Sequence, residues 1–216
     1  MLLRMLGAIA VVQCLSLGAA LGCTGQPGAV IFEDAFPDDS GGWDLKLPAS
    51  TLAIKPPAMV FGLDSKFTFA SSLNLTFATT NGDFCVRGVL PKSVAEDNPA
   101  NIGIMFWAVD YNNTMLALLN NKGRVVLFNR SAGAWQEIFA IADAPGFKAE
   151  PGAANDLRVN AVDGRITVFL NGNQLRAVRA QVPAGRLRFG IWGQYDKAAD
   201  NLGQIQATAF KVTAGK

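Results

Sequence analysis

Between residues 30 and 212 the sequence consists of short runs rich in β-branched and aromatic residues, separated by Gly, Pro, Asn and Asp. Runs of this length closed by turn residues are typical of antiparallel strands. An amphipathic helix would instead show apolar residues at a 3.6-residue period over several turns. No helical pattern of useful length occurs, so the sequence predicts an all-β fold.

Fourteen segments have the length and composition of strands. We expect them at residues 31–36, 51–55, 66–69, 73–79, 84–90, 102–109, 115–120, 124–129, 135–140, 156–162, 165–170, 174–181, 186–192 and 204–212. Residues 120–123, 162–165 and 170–173 place Asn, Asp or Gly where a tight hairpin needs a positive φ. These turns predict a meander of consecutive hairpins from about Met115 to Gln181.

The length and composition limit the classes of function. A chain of 216 residues suits one sandwich domain, and with half of its residues hydrophobic it can bury a large core. A net charge of +2, from dispersed basic residues, does not favour a nucleic-acid partner. The sequence contains no histidine. Any catalysis must therefore use carboxylates, Lys, Tyr or Cys.

The amino terminus has the pattern of an export signal. Arg4 precedes an apolar stretch over residues 5–20, which ends in small residues and is short for a bilayer span. We assign residues 1–22 to a signal peptide, 23–29 to a short linker and 30–213 to the sandwich domain. The predicted location is the periplasm or surface of a bacterial cell.

Cys23 has two mutually exclusive predicted fates. It follows Ala20-Leu21-Gly22, where a bacterial lipoprotein carries its lipidated cysteine, although the order of Ala20 and Leu21 departs from the preferred pattern. Lipidation would be the chain's route to a membrane. In the alternative, Cys23 pairs with Cys85, because an exported chain meets oxidising conditions and Cys14 leaves with the signal.

Alternation within the strands predicts which side chains face the core. The odd-numbered apolar residues of 186–192 point one way, which leaves Arg188 and Trp192 on the opposite face. The run 102–109 is apolar on both faces, as in a central strand that is covered on both sides or lines a groove. The same alternation places Trp107 on the face away from the core.

The order of these motifs resembles the concanavalin A-like jelly rolls, especially laminin G-like domains and the bacterial family named for 3-keto-disaccharide hydrolysis. The resemblance is carried by FEDAF at 32–36, Gly42-Trp43, GIMFWAVDYN at 103–112, NDLRV at 155–159, VFLNG at 168–172, GRLRFGI at 185–191 and ATAFKV at 207–212. It covers residues 30–212 and implies a two-sheet antiparallel jelly-roll sandwich. Members bind glycans, bind proteins or hydrolyse glycosides, so the fold leaves the activity open.

The carboxylates of the sequence favour binding over catalysis. Jelly-roll glucanases commonly carry Glu-x-Asp-x-x-Glu on one strand, and that motif is absent. Glycoside hydrolysis needs two carboxylates roughly 5 to 10 Å apart. Glu33-Asp34 and Asp38-Asp39 are adjacent pairs, and neighbours on a strand project to opposite faces. A glycoside hydrolase and an envelope protein-binding domain are the alternatives to a lectin-like domain.

Aromatic and basic residues on the non-core faces form the candidate ligand site. Indole and phenol rings stack on the apolar faces of sugars, and guanidinium groups donate to hydroxyls or uronates. The predicted ligand-binding residues are Arg87, Trp107, Tyr111, Arg188, Trp192 and Tyr195, of which Tyr111 and Tyr195 are expected in loops just beyond two of the strands. They predict an oligo- or polysaccharide partner; the alternative is that Trp107 and Trp192 pack beneath a covering loop or against the second sheet. Trp43 and Trp135 are expected in the core or at its rim.

Calcium is a separate expectation, since laminin G-like domains often hold a cation at the rim of the sandwich. Asp110 and Asp200 are predicted to lie in loops and are the candidate ligands. Carboxylate and carbonyl oxygens suit Ca²⁺, but no EF-hand-like spacing is present. No other cofactor is implied.

Overall fold

The computed structural model describes residues 23–92, 95–150 and 152–215, so the predicted signal peptide lies outside the described residues. Regular structure in these ranges is entirely β. The strands are β1 (Val30–Asp34), β2 (Leu52–Lys55), β3 (Ala58–Phe61), β4 (Phe69–Leu73), β5 (Gly82–Val89), β6 (Ala100–Asp110), β7 (Asn113–Asn120), β8 (Val125–Ser131), β9 (Ala134–Ile141), β10 (Ala154–Val162), β11 (Arg165–Leu170), β12 (Asn173–Arg179), β13 (Arg188–Tyr195) and β14 (Ile205–Ala214). Across the described part of the chain, no helix is long and apolar enough to cross a membrane.

The strands form two antiparallel sheets that pack face to face. The eight-stranded sheet has the order β12-β11-β10-β5-β14-β3-β2, with β1 also paired to β14. The six-stranded sheet has the order β4-β13-β6-β7-β8-β9. The predicted all-β, two-sheet antiparallel sandwich is confirmed.

Alternate side chains from both sheets build the core between them. Phe189 and Ile191 of β13 meet Phe84 of β5 and Phe210 of β14, and all four are buried. The rings of Phe189 and Phe210 stack with their centroids 5.5 Å apart. The alternation predicted for residues 186–192 is therefore confirmed, and Trp192 faces away from this core.

The three predicted hairpins are confirmed, because β7 pairs with β8, β10 with β11 and β11 with β12. The turns contain the expected positive φ angles, for example 49° at Asp163 and 48° at Asn171. The single meander is wrong, however. After Ile141 the chain leaves the six-stranded sheet and enters the eight-stranded sheet at Ala154.

The prediction of two strands at residues 66–69 and 73–79 is also wrong, because one strand, β4, spans Phe69–Leu73. Asp64 and Asn74 each accept two backbone N–H groups from the residues that follow them. Such local bonds hold the backbone in turns and compete with strand pairing. The segments on either side of β4 are therefore irregular.

A β-bulge corrects the placement of Trp107. Met105 lies opposite Gly190 and Ala108 lies opposite Arg188, so β6 has one more residue than β13 between these pairs. Trp107 has a φ of 49° and turns into the core, where its side chain is fully buried. The indole N–H donates to the carbonyl of Thr80 over 2.6 Å. The prediction that Trp107 lies on the outer face is wrong, because alternation fails at a bulge.

A disulfide attaches the start of the described chain to the eight-stranded sheet. Cys23 and Cys85 are bonded, with their Cα atoms 5.6 Å apart. Gln26 donates to Asp83 beside this bond, so the predicted linker 23–29 lies against the sheet. Of the two fates predicted for Cys23, the structure contains the disulfide, and a sulfur in a disulfide has no thiol left to carry a lipid.

We expect loss of the disulfide to destabilise the fold. The bond closes a loop over a sequence separation of 62 residues, and loop-closure entropy of that size corresponds to about 4 kcal/mol of unfolding free energy. Urea unfolding of the oxidised protein and of Cys85→Ser measures the difference. The double variant Cys23→Ser/Cys85→Ser should not respond to reductant, and equal midpoints for oxidised and reduced wild type would contradict the expectation.

Candidate functional site

The outer face of the eight-stranded sheet is polar and carries two ion pairs across β5 and β10. Arg87 contacts Asp156 at 2.8 Å and Arg158 contacts Asp83 at 2.6 Å. Hydrogen bonding to Asp156 raises the pKa of the Arg87 guanidinium. Arg87 was predicted in the ligand site, but it lies on the opposite sheet from Trp192, with the whole core between them. That placement is wrong, because the sequence does not show which sheet a strand joins.

The outer face of the six-stranded sheet is apolar. Buried side chains from four strands pack together there, separately from the main core; this outer cluster consists of Leu73, Met105, Ala108, Leu116, Leu118 and Trp192. The expectation that residues 102–109 are apolar on both faces is thus confirmed. The sheet is buried on both sides over the middle strands.

Aromatic rings from distant strands meet above the outer cluster. The rings of Trp135 on β9 and Trp192 on β13 are 5.6 Å apart, edge to face. Strands β6, β7 and β8 lie between β9 and β13, and in a flat sheet those two strands would be roughly 19 Å apart. The sheet is therefore strongly concave. Phe69 stacks on Trp192 at 4.9 Å, which leaves the indole only 3% exposed.

A cleft of about 570 Å³ opens beside this stack. Its floor is formed by β4 and Trp192, its walls by the segments before β4, and one end by the β6–β7 turn and Arg130; the lining residues are Asp44, Lys46, Leu47, Lys66, Phe67, Thr68, Phe69, Ala70, Ser71, Tyr111, Asn112, Arg130 and Trp192. Phe67 and Phe69 expose 36% and 49% of their surface. The volume lies within the range of small-molecule sites.

Fixed polar groups stand at one end of the cleft. The hydroxyl of Tyr111 accepts from the Leu73 N–H over 3.2 Å and donates to Asp44 Oδ2 over 2.9 Å. Asp44 is itself anchored, because its N–H donates to the Leu73 carbonyl and its own carbonyl accepts from Ser72. Arg130 donates to the Tyr111 carbonyl and lies 4.8 Å above the Trp135 ring.

Burial keeps the two tyrosines of the chain protonated. Desolvation raises the pKa of Tyr111 to about 12, and the hydrogen bond to Asp44 acts in the same direction. Desolvation also raises the pKa of Tyr195 to about 12. The Tyr111 hydroxyl therefore remains a donor to Asp44 at any physiological pH.

The structure brings only part of the predicted ligand set together. Tyr111 and Trp192 line the cleft as expected. Arg188 is close enough to Tyr111 to affect its pKa, but it lies outside the lining and donates to the Val109 carbonyl. Tyr195 is not in a loop; it is the last residue of β13, buried on the core side, and its hydroxyl donates to the Gly203 carbonyl.

Other functional candidates were missed by sequence reasoning. Phe67 and Phe69 alternate with polar residues, so a shared exposed face was a readable signal. Trp135 was expected in the core or at its rim, yet it lies 42% exposed on the outer face. Trp43 is in the core as expected, with its indole N–H donated to Asp34. Asp44 and Arg130 gave no signal, because only tertiary contacts bring them to Tyr111.

The two candidate calcium ligands do not come together. Asp110 ends β6 beside the start of β13, whereas Asp200 follows the other end of β13. The Asp110 carboxylate accepts from Asn112 and Asn113, and the bond from Asn113 lowers its pKa. Asp110 and Asp200 therefore cannot share one ion, and calcium binding at either residue stays a prediction.

Among the described residues, Cys23, Cys85 and Asp156 form the one close group of potential metal ligands, and the two sulfurs of this group are joined in the disulfide.

No protein-family model matches the chain, and no curated protein matches its sequence. Solved structures do match its fold. Carbohydrate-binding module CBM66 from Bacillus subtilis superposes with a TM-score of 0.56 at 15% identity, over 73% of this chain and 94% of that one. An endo-β-1,3-glucanase from Pyrococcus furiosus gives 0.62 at 10% identity, over 86% and 94%. The β-glucanase of Bacillus licheniformis gives 0.60 at 11% identity, over 87% and 99%. The chain therefore has the concanavalin A-like jelly-roll fold.

Both tyrosines should lose their phenol proton at a higher pH in the folded protein than in the unfolded chain. We expect ultraviolet absorbance to report phenolate formation near pH 12 in the native state and near pH 10 in denaturant. Because the folded pKa lies above the unfolded value, this stabilisation is complete below pH 10 and is lost as the pH rises towards 12. Tyr111→Phe and Tyr195→Phe separate the two contributions. Native titration near pH 10 would contradict the burial of both hydroxyls.

Proposed function

We propose that this chain is an exported, non-catalytic carbohydrate-binding domain that holds an oligo- or polysaccharide in the cleft. The observation that carries the proposal is the exposed ring of Phe69, stacked on Trp192 beside the fixed Tyr111 and Asp44 pair. Solved structures of the same fold include a carbohydrate-binding module and glucanases, which supports a carbohydrate partner.

The chemistry of the lining suits a sugar. The apolar C–H face of a pyranose ring packs against a phenyl ring, and Phe67 and Phe69 both present rings to the cleft. Lys46, Lys66 and Arg130 offer donors to sugar oxygens at its edges. An apolar floor with a few convergent polar groups is the usual composition of a small-molecule site.

The carboxylates support binding rather than hydrolysis. Among the described residues that line the cleft, Asp44 is the only acidic one, and its Oδ2 is already occupied by Tyr111. Two-carboxylate hydrolysis needs a second acid on the other side of the glycosidic bond. Asp34 does not supply it, because this buried carboxylate accepts from Trp43 and from the backbone of Phe36.

Phe69→Ala should weaken saccharide binding by about five- to thirtyfold, because removal of a well-packed aromatic contact costs on the order of 1–2 kcal/mol. Affinity electrophoresis in gels that contain neutral or acidic polysaccharides measures the change. Phe169→Ala is the matched control, since that ring packs under Arg158 on the other sheet. No retardation of wild type in any gel, or equal retardation of Phe69→Ala, would refute the proposal.

The domain should release no products from a polysaccharide that it binds. We expect no rise in reducing ends when the retained polymer is incubated with wild type, because the cleft has one carboxylate. The matched variant Asp44→Asn keeps the shape of the side chain and should likewise show no turnover. Turnover by wild type that Asp44→Asn abolishes would make the protein a hydrolase and refute the non-catalytic assignment.

A further inference from the structure

We infer that the cleft receives the end of a saccharide chain or a short branch, and does not bind internal segments of a polymer. The inference rests on the proposed function and adds to it which part of a glycan is recognised. Three features carry it: the closed inner end of the cleft, the buried middle of the sheet, and the placement of the polar groups.

Trp192 and Arg130 line the inner end of the cleft, and Trp135, which is not itself part of the lining, packs against both of them. Trp135 contacts the edge of Trp192 at 5.6 Å, and Arg130 lies 4.8 Å above the Trp135 ring. Arg130 is held there by its bond to the Tyr111 carbonyl over 2.8 Å. The ring contacts run from Phe69 on β4 through Trp192 on β13 to Trp135 on β9, so these rings and the Arg130 guanidinium stand between the cleft and the rest of the sheet.

The middle of the concave face has no surface for a sugar chain. Met105 of β6 is fully buried and Leu116 of β7 is 1% exposed, beneath the rings that meet above them. A polymer that lay across the six strands would need these positions open. The outer cluster fills the space that such a chain would occupy.

The polar groups stand where a chain terminus would reach. The Tyr111 hydroxyl is bonded to Leu73, the last residue of β4, whereas Phe67 precedes the first residue of that strand. A sugar that enters past Phe67 and Phe69 directs its outermost hydroxyls to Tyr111 and Arg130. Asp44 acts through Tyr111, because its Oδ2 is bonded to the Tyr111 hydroxyl and its Oδ1 is buried. A terminal sugar carries a free hydroxyl where an internal sugar carries the next glycosidic bond. The volume of about 570 Å³ leaves room for about two sugar rings.

End recognition is tested by counting sites on one polymer before and after it is shortened. The probe is the neutral or acidic polysaccharide most strongly retained in the electrophoresis panel, used intact and after partial acid hydrolysis at equal mass. Isothermal titration calorimetry gives the number of sites per gram. We expect that number to rise in the same ratio as the number of chains. Borohydride reduction of the hydrolysate shows which end is bound, because it alters only the reducing terminus.

Trp135→Ala tests the closing residue itself. Removal of this half-exposed ring should open the inner end, and the sites per gram on the intact polymer should increase several-fold. Trp135→Phe keeps a ring over Trp192 and should behave as wild type. The late tyrosine titration establishes that each variant is folded.

The outcomes separate this inference from the function on which it rests. Sites per gram that stay constant on shortening would overturn end recognition and leave carbohydrate binding intact. Equal site numbers for folded Trp135→Ala and wild type on the intact polymer would overturn the role of Trp135. No binding to any polysaccharide would refute the proposed function, and the inference with it.

Discussion

Strand β13 presents Phe189 and Ile191 to one face of the six-stranded sheet and Trp192 to the other. A sheet with large apolar side chains on both faces must bury both of them, and the second sheet can cover only one. Here the outer face is covered by the chain's own rings. The sheet curves until Trp135 and Phe69 contact Trp192 from two sides, and the position, size and closed end of the cleft follow from that contact.

The outer faces of the two sheets differ in chemistry. On the eight-stranded sheet the charges are paired across β5 and β10, and the disulfide holds the first described residues against them. Charges that are matched in this way are less available to a ligand. On the six-stranded sheet the apolar rings are only partly covered, and Tyr111, Asp44 and Arg130 fix polar groups beside them. Recognition is therefore expected on one side of the sandwich.

Local signals predicted most of the strands and every hairpin that was named. Turn residues at Asp163 and Asn171 adopt the positive φ that their types favour. The failures have physical causes. Strand β3 was not among the predicted strands. It follows Pro56-Pro57, and because proline lacks a backbone N–H donor, the composition of this segment does not resemble that of a strand. Trp107 turned inward at a bulge, which inserts one residue and leaves no reliable mark in an apolar run.

In the candidate site, too, the residues placed by local sequence were predicted and those placed by tertiary contacts were not. Tyr111 and Trp192 were predictable because strand alternation and the turn after β6 depend on neighbouring residues. Arg87 was misplaced, and Asp44, Phe69 and Arg130 were missed, because their roles depend on which strands share a sheet and how far that sheet curves. The sequence by itself determined an all-β sandwich with alternating faces, since turns and side-chain period are local properties. Only the tertiary structure decided which rings meet, because strand pairing and curvature join residues far apart in the chain.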